Sequence, residues 1–121
     1  MIDWIYHRFV DVFTMILHVL SKFINDFALR QQSADAFLNA SQLQSLQHSI
    51  WFHSASAGEF ESIRPVIEKL KRLEPNKKII ATFFSISGYK AHSNNPHLDF
   101  VACLPIDSLN NTSKIVDRLK P

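Results

Sequence analysis

The chain has 121 residues, of which 46% are hydrophobic and 20% are charged, and its formal net charge is +2. This length suffices for one domain with a real core, and the composition excludes an intrinsically disordered chain. The small charge, without a run of Lys and Arg interleaved with aromatic residues, argues against nucleic-acid binding. The single cysteine, Cys103, excludes an internal disulfide, and its apolar neighbours predict a buried, inert thiol.

Residues 1–30 are predicted to form an amphipathic, membrane-associating helix. Polar residues recur every three or four positions, so they form one narrow stripe opposite a wide aromatic and aliphatic face. The stripe consists of Asp3, His7, Asp11, Thr14, His18, Lys22 and Asn25. The longest stretch without a formal charge, Val12–Ser21, is short for a membrane-spanning helix, which needs about 20 apolar residues. Two interpretations stay open, a helix packed on a core and a helix lying in the membrane interface.

Residues 31–49 differ in composition from the helix before them. They are rich in Gln, Ser, Ala and Leu, and Asp35 is their one charged residue. This composition is typical of either a linker or a short helix, and the pattern does not decide between the two.

An alternating pattern of strands and helices begins after residue 49. Its apolar runs are nearly continuous, as in strands that are buried on both faces of a parallel sheet. The predicted strands are Ile50–His53, Lys78–Phe84 and Asp99–Leu104, and the predicted helices are Ile63–Leu73, about Tyr89–Ser93, and Leu109–Leu119. The order indicates an α/β fold with a partial Rossmann-like parallel sheet. Three strands alone would leave a long apolar edge exposed, so we expect residues 50–121 to be an incomplete domain from a truncated chain.

The two glycines of the chain, Gly58 and Gly88, each lie just past the carboxyl end of a predicted strand. Each follows a pair of serines, in the runs SASAGE and SISG. Ligands of open parallel sheets bind outside the carboxyl ends of the strands, where glycine permits positive φ or close backbone approach. The pattern predicts a ligand crevice at this edge, and tight turns without a ligand are the alternative.

Three segments carry a resemblance to a known family: IWFHSASAGEFESIRPVIEKL from Ile50, KIIATFFSISGYK from Lys78, and FVACLPID from Phe100. Their order and separation resemble the N-terminal domain of the 3-deoxy-D-manno-octulosonic-acid (Kdo) transferases that modify lipid A. The resemblance implies an inverting glycosyltransferase of the two-domain GT-B type, on the cytoplasmic face of the inner membrane. It implies a lipid A precursor as acceptor, CMP-Kdo as donor bound mainly by an absent C-terminal domain, a membrane surface as partner, and neither cofactor nor metal.

The same resemblance assigns Glu59 as the catalytic base and Ser56 and Gly58 to the acceptor site. The competing interpretation is structural, because Ser56 and Glu59 have the spacing of a capping box at a helix start. Pro65 argues against that box, since a helix from Ser56 would enclose the proline at a cost of about 3 kcal/mol. We therefore expect the helix to begin near Ser62 and the preceding residues to form a loop.

Weaker patterns leave other classes of function open. The six histidines have no convincing metal-binding spacing and suggest scattered surface or strand-end positions, although His53 lies at the mouth of the predicted crevice. A basic cluster is expected to be a solvated helix face or a contact with anionic lipid; it comprises Arg64, Lys69, Lys71, Arg72, Lys77 and Lys78. Asp107, at a third strand end, is expected at most to cap a helix. The alternatives to a glycosyltransferase are a non-catalytic module that binds an anion or a partner, and an inactive fragment.

Overall fold

The computed structural model describes residues 2–39, 41–105 and 109–121 and has the expected α/β architecture. In chain order the elements are α1 (Ile2–Asn39), a 3-10 helix (Ser41–Leu46), β1 (Ile50–Ser54), α2 (Ala57–Leu73), β2 (Ile79–Phe83), α3 (Ile86–His92), β3 (Phe100–Cys103) and α4 (Leu109–Leu119). The three strands form an open parallel sheet in the order β1-β2-β3. The predicted Rossmann-like alternation is therefore confirmed, and Asp107 lies outside the described residues.

The central strand β2 is buried along its whole length and divides the core in two. On one face of the sheet, Ile80 packs with Phe37 of α1, Ile115 of α4 and residues of the 3-10 helix. On the other face, the side chains of β2 pack against Phe60 and Ile67 of α2. Because successive strand side chains point to opposite faces, one continuous apolar run supplies both cores.

Helix α1 continues past residue 30 and ends at Asn39, so the first part of residues 31–49, expected as a linker or a short helix, is helical. Its last turns join the domain, because Ala34 and Phe37 are fully buried. From residue 8 to residue 25, in contrast, every side chain is exposed. Helix α1 over Arg8–Asn39 contains an 18-residue window with a mean hydropathy of 1.4, so it is long and apolar enough to cross a membrane by length and composition alone. The charged residues of α1 argued against a spanning helix in the sequence analysis. They are nevertheless few enough for this test of length and composition to be met.

Candidate active site at the carboxyl edge of the sheet

The turns that follow β1 and β2 meet at one edge of the sheet. The Phe84 N–H donates to the Ser54 carbonyl at 3.1 Å, and the Ser85 N–H donates to the Ala55 carbonyl at 2.9 Å. These two bonds extend the parallel pairing by one step beyond the strands. The structure therefore places the SASAGE and SISG segments side by side, at the edge where open parallel sheets bind ligands.

Helix α2 begins within the SASAGE segment and not near Ser62. Ser56 is its N-cap, and the Ser56 hydroxyl oxygen accepts a hydrogen bond from the Glu59 N–H at 3.3 Å. The Glu59 carboxylate reaches back and accepts from the Ala55 N–H at 2.8 Å. In a standard capping box the carboxylate would accept from the N–H of the N-cap residue, here Ser56. In this protein it accepts instead from the N–H of the preceding residue, Ala55. Our expectation of a loop up to Glu59 was wrong.

Burial of Phe60 explains why the helix starts early in spite of Pro65. Phe60 is fully buried, and its ring lies 5.3 Å from that of Phe83 and 4.2 Å from that of His92. A helical first turn is what carries this ring into the core. Pro65 lies inside α2 but on its exposed face, so water can bond to the Glu61 carbonyl that the proline leaves unpaired.

The Glu59 carboxylate is both held and accessible. Glu59 is exposed to solvent, and the bond from Ala55 engages its Oε2 atom. An ionised carboxylate has about four lone-pair sites on two oxygens, so a single bond leaves room for another donor. The hydrogen bond from Ala55 therefore orients the carboxylate and leaves it able to accept further hydrogen bonds. Geometrically, the side chain can accept a proton from a hydroxyl group placed beside the first turn of α2.

The two glycines differ in what lies beside them, and neither has a positive φ. A Cβ atom at Gly88 would come within 2.4 Å of the Phe83 ring, so this glycine permits close packing of α3 on β2. At Gly58 the nearest atom to such a Cβ is the Ser56 hydroxyl oxygen at 3.9 Å, an ordinary van der Waals contact, so a side chain would fit there without a clash. Packing therefore accounts for Gly88 but not for Gly58.

His53 lies at this edge within a short hydrogen-bonded chain. Its Nδ1 atom is 3.0 Å from the hydroxyl of Thr82, which also accepts from the Trp51 indole N–H at 2.9 Å. Because an indole can only donate, Thr82 keeps its own proton to offer to His53. Thr82, a residue that the sequence analysis passed over, thus fixes the ring of a solvent-exposed histidine.

His92 departs from the expectation of scattered surface histidines, because it is buried between two phenylalanine rings. Within the part of the chain that the structure describes, no three His, Cys, Asp or Glu side chains come close enough to hold a metal ion.

Arg30 is a second residue that the sequence analysis missed. It donates from Nε to the Phe84 carbonyl at 2.9 Å and from Nη2 to the Leu104 carbonyl at 3.0 Å, and its guanidinium lies 4.7 Å from the centre of the Phe84 ring. It therefore ties α1 to the carboxyl ends of β2 and β3. Because Arg30 and these strand ends are far apart in sequence, no local sequence pattern predicts the contact.

Nearby, Cys103 is fully buried as predicted, and burial raises the pKa of its thiol.

The basic cluster is neither uniformly solvated nor unopposed. Lys71 and Lys78 both pair with Asp99, at 2.7 Å and 3.2 Å, and Arg64 pairs with Glu61 at 2.9 Å. Burial alone would raise the pKa of Asp99, but hydrogen bonds from Lys71, the Ile79 N–H and Lys78 together lower it below its usual value. Lys71 thus joins α2 to the amino ends of β2 and β3, whereas the Arg64 pair lies within α2.

Comparison with known proteins identifies one family. The family model described as 3-deoxy-D-manno-octulosonic-acid transferase (kdotransferase) matches residues 25–121, which is most of the chain. The match begins within α1 and includes the whole sheet and the capped start of α2. No curated protein matches the chain.

Proposed function

The chain belongs to the Kdo transferase family, and from that premise we propose that it supplies the acceptor side of an inverting transfer of Kdo from CMP-Kdo to a hydroxyl group of a lipid A precursor. The observation that carries the proposal is the Glu59 carboxylate, exposed at the carboxyl edge of the sheet and oriented by the Ala55 N–H. The donor site lies mainly in a C-terminal domain, and residues 50–121 form the acceptor-side domain.

Glu59 acts as the general base. The acceptor hydroxyl oxygen attacks the anomeric carbon of the donor while its proton passes to the Glu59 carboxylate. The bond from that carbon to the CMP oxygen breaks, and its electron pair leaves with CMP. A single displacement of this kind inverts the anomeric centre and needs no enzyme nucleophile, so Ser54 and Ser56 require no activation.

Ser56 and Gly58 shape the acceptor site beside this base. The Ser56 oxygen accepts the capping bond from Glu59, and its own proton stays available for donation to a sugar hydroxyl. The space beside Gly58 admits the acceptor close to the first turn of α2. Both residues lie within one turn of the base, so a hydroxyl bound by them is also near the Glu59 carboxylate.

Helix α1 associates with the cytoplasmic face of the inner membrane, with residues 1–30 lying along it. The family works in lipopolysaccharide synthesis at a membrane, and the exposed apolar side chains of α1 support the assignment. Lying flat keeps Arg8, Asp11 and Lys22 in water, whereas spanning would bring charges toward hydrocarbon at about 2.5–3.5 kcal/mol for a central charge.

The transfer itself is tested with the full-length protein in vesicles that contain a lipid A precursor. Addition of CMP-Kdo should yield a Kdo-bearing lipid whose anomeric configuration, determined by NMR, is inverted relative to the donor. If no Kdo-bearing lipid forms while the CMP-Kdo remains undegraded, the proposed reaction is contradicted. A product of retained configuration would contradict the single displacement and the role of Glu59 in it.

A further inference from the structure

An apolar groove runs between α1 and the turn that joins β2 to α3. Its volume is about 1040 Å³, at the upper end of the range for small-ligand sites. Val19, Phe23 and Phe27 of α1 form one wall, and Phe84 and Ile86 of the turn form the other. The three phenylalanines are 60% or more exposed, a large apolar surface to leave in contact with water.

The groove is joined to the candidate base through backbone hydrogen bonds. Phe84 and Ser85 donate to the carbonyls of Ser54 and Ala55, and the Ala55 N–H in turn donates to Glu59. On the other side, Arg30 holds the Phe84 carbonyl, and Asp26 pairs with Lys90 of α3 at 2.7 Å. The groove therefore has fixed walls and opens at the same edge of the sheet as the base.

Much of the backbone along the groove walls is already hydrogen-bonded within the protein. The N–H groups of Phe84 and Ser85 and the Phe84 carbonyl all have partners, and the backbone of α1 is bonded within the helix. An extended peptide would leave its own backbone groups without partners here, at a cost of about 1–3 kcal/mol each. A hydrocarbon chain has no such groups, so it loses nothing on entering.

The charges beside the groove select the rest of the ligand. A stripe of Lys22, Asp26 and Arg30 follows the apolar stripe along α1, and the charge of Asp26 is paired with Lys90. The two remaining cations favour an amphiphile whose headgroup is anionic. The apolar groove matches the hydrocarbon part of an anionic lipid, and the cations along one side match its headgroup.

We propose that this groove binds an acyl chain of the lipid acceptor and so brings the acceptor headgroup to Glu59; the inference rests on the proposed function. The acyl chain lies between Phe23 and Phe84, and the phosphate-bearing sugar of the acceptor extends toward the turn after β1. The acceptor is thereby selected by its acyl chain as well as by its sugar.

The test uses the full-length protein in phospholipid vesicles with an acceptor that carries a photoreactive diazirine on one acyl chain. Irradiation should label residues 19–27 or 84–86, and excess unlabelled acceptor should abolish this labelling. Phe23→Ser should reduce it about tenfold, because much of the chain's apolar contact is lost. The matched control is Phe9→Ser, on the same helix and similarly exposed at 68% against 74% for Phe23, which should change labelling by less than about twofold.

Several outcomes would overturn the proposal. These are equal labelling in the two variants, equal labelling by a phospholipid with the same diazirine chain, and loss of labelling when protein concentration rises, as a second copy in the groove would cause. A parallel transfer assay separates this inference from the proposed function. Normal transfer without groove labelling contradicts only the groove, and groove labelling without transfer contradicts only the reaction.

Discussion

Gly58 and Gly88 carry different constraints although each lies in the first turn of a helix that follows a strand. A methyl group at Gly88 would overlap the Phe83 ring at 2.4 Å, whereas one at Gly58 would meet nothing closer than 3.9 Å. Gly88→Ala should therefore lower the free energy of unfolding by about 1–3 kcal/mol. Gly58→Ala should leave it unchanged or raise it by up to about 1 kcal/mol, since alanine is the better helix former.

The same pair separates packing from acceptor binding. If the space at Gly58 admits the acceptor, Gly58→Ala should raise the KM for acceptor in the full-length enzyme while urea unfolding stays at or above the wild-type value. An unchanged KM would remove Gly58 from the acceptor site. A large loss of stability in Gly58→Ala would contradict the absence of a clash there.

Single residues also explain why the local reading of the sequence failed at the start of α2. From local spacing, the cost of enclosing Pro65 in a helix outweighs the capping box of Ser56 and Glu59. Two facts of the tertiary structure reverse this balance: Phe60 is buried, and Pro65 is exposed. Neither could be read from local spacing, because both depend on which face of α2 meets the sheet. The positions of Glu59 and Ser56 at the edge of the sheet followed from strand order alone.

At the scale of elements, strands and α4 were predictable because their signals are local. Each observed strand lies within one residue of its predicted ends, and α4 spans the predicted Leu109–Leu119. The end of α1 was not predictable from composition, since the change near residue 31 coincides with no break in the helix. What extends α1 to Asn39 is the packing of Phe37 against Trp51 and Phe100, residues distant in sequence.

Asp99 joins three elements and gives the fold a dependence on pH. Its carboxylate accepts from Lys71, Lys78 and the Ile79 N–H, at 2.7, 3.2 and 2.9 Å. Asp99→Asn should destabilise the protein by about 1–3 kcal/mol at pH 7. Since the folded-state pKa is lowered, this stabilisation is complete above the unfolded-state pKa and is lost as the pH falls through the folded-state pKa.

Chemical unfolding of both proteins between pH 7 and pH 3 checks the Asp99 prediction. The difference between wild type and Asp99→Asn should shrink below about pH 4. Glu74→Gln, which alters an exposed acid at the end of α2, serves as the control and should show little difference at any pH. A difference for Asp99→Asn that stays constant to pH 3 would mean that its charge does not stabilise the fold.

Helix α1 is expected to lie along the membrane through its exposed apolar face. Phe13, Ile16 and Leu20 are about half exposed, and each could gain up to about 1.5–3 kcal/mol on full burial in lipid. Phe13→Asp combined with Leu20→Asp should therefore release the protein from liposomes in a flotation assay. The matched control, Leu73→Asp with Val116→Asp, changes exposed apolar residues of α2 and α4 and should still float.

Flotation of the α1 double mutant as efficient as that of wild type would contradict the interfacial assignment. Accessibility of His18 gives an independent check, because this residue lies near the middle of the apolar stretch. A flat helix leaves its ring open to aqueous reagents, whereas a spanning helix shields it. Protection of His18 in vesicles would therefore favour a spanning helix.

For the whole molecule, one hydrogen-bonded frame links helix α1 to the candidate base. Arg30 holds the ends of β2 and β3, the turn after β2 holds the turn after β1, and that turn holds Glu59. The position of the carboxylate relative to α1 is thus fixed by short backbone contacts. An enzyme whose acceptor is embedded in lipid needs a fixed relation of this kind between its membrane contact and its base.

The measurement that tests the account most directly is the rate of Kdo transfer by full-length Glu59→Gln. The amide oxygen of glutamine can still accept from the Ala55 N–H, so the helix cap persists while the basic group is lost. Turnover should fall by about 10²–10⁴-fold with an unchanged unfolding midpoint. Glu61→Gln, an exposed glutamate one half-turn further along α2, should retain near-normal turnover. Near-normal transfer by a folded Glu59→Gln variant would contradict the central claim that Glu59 is the base.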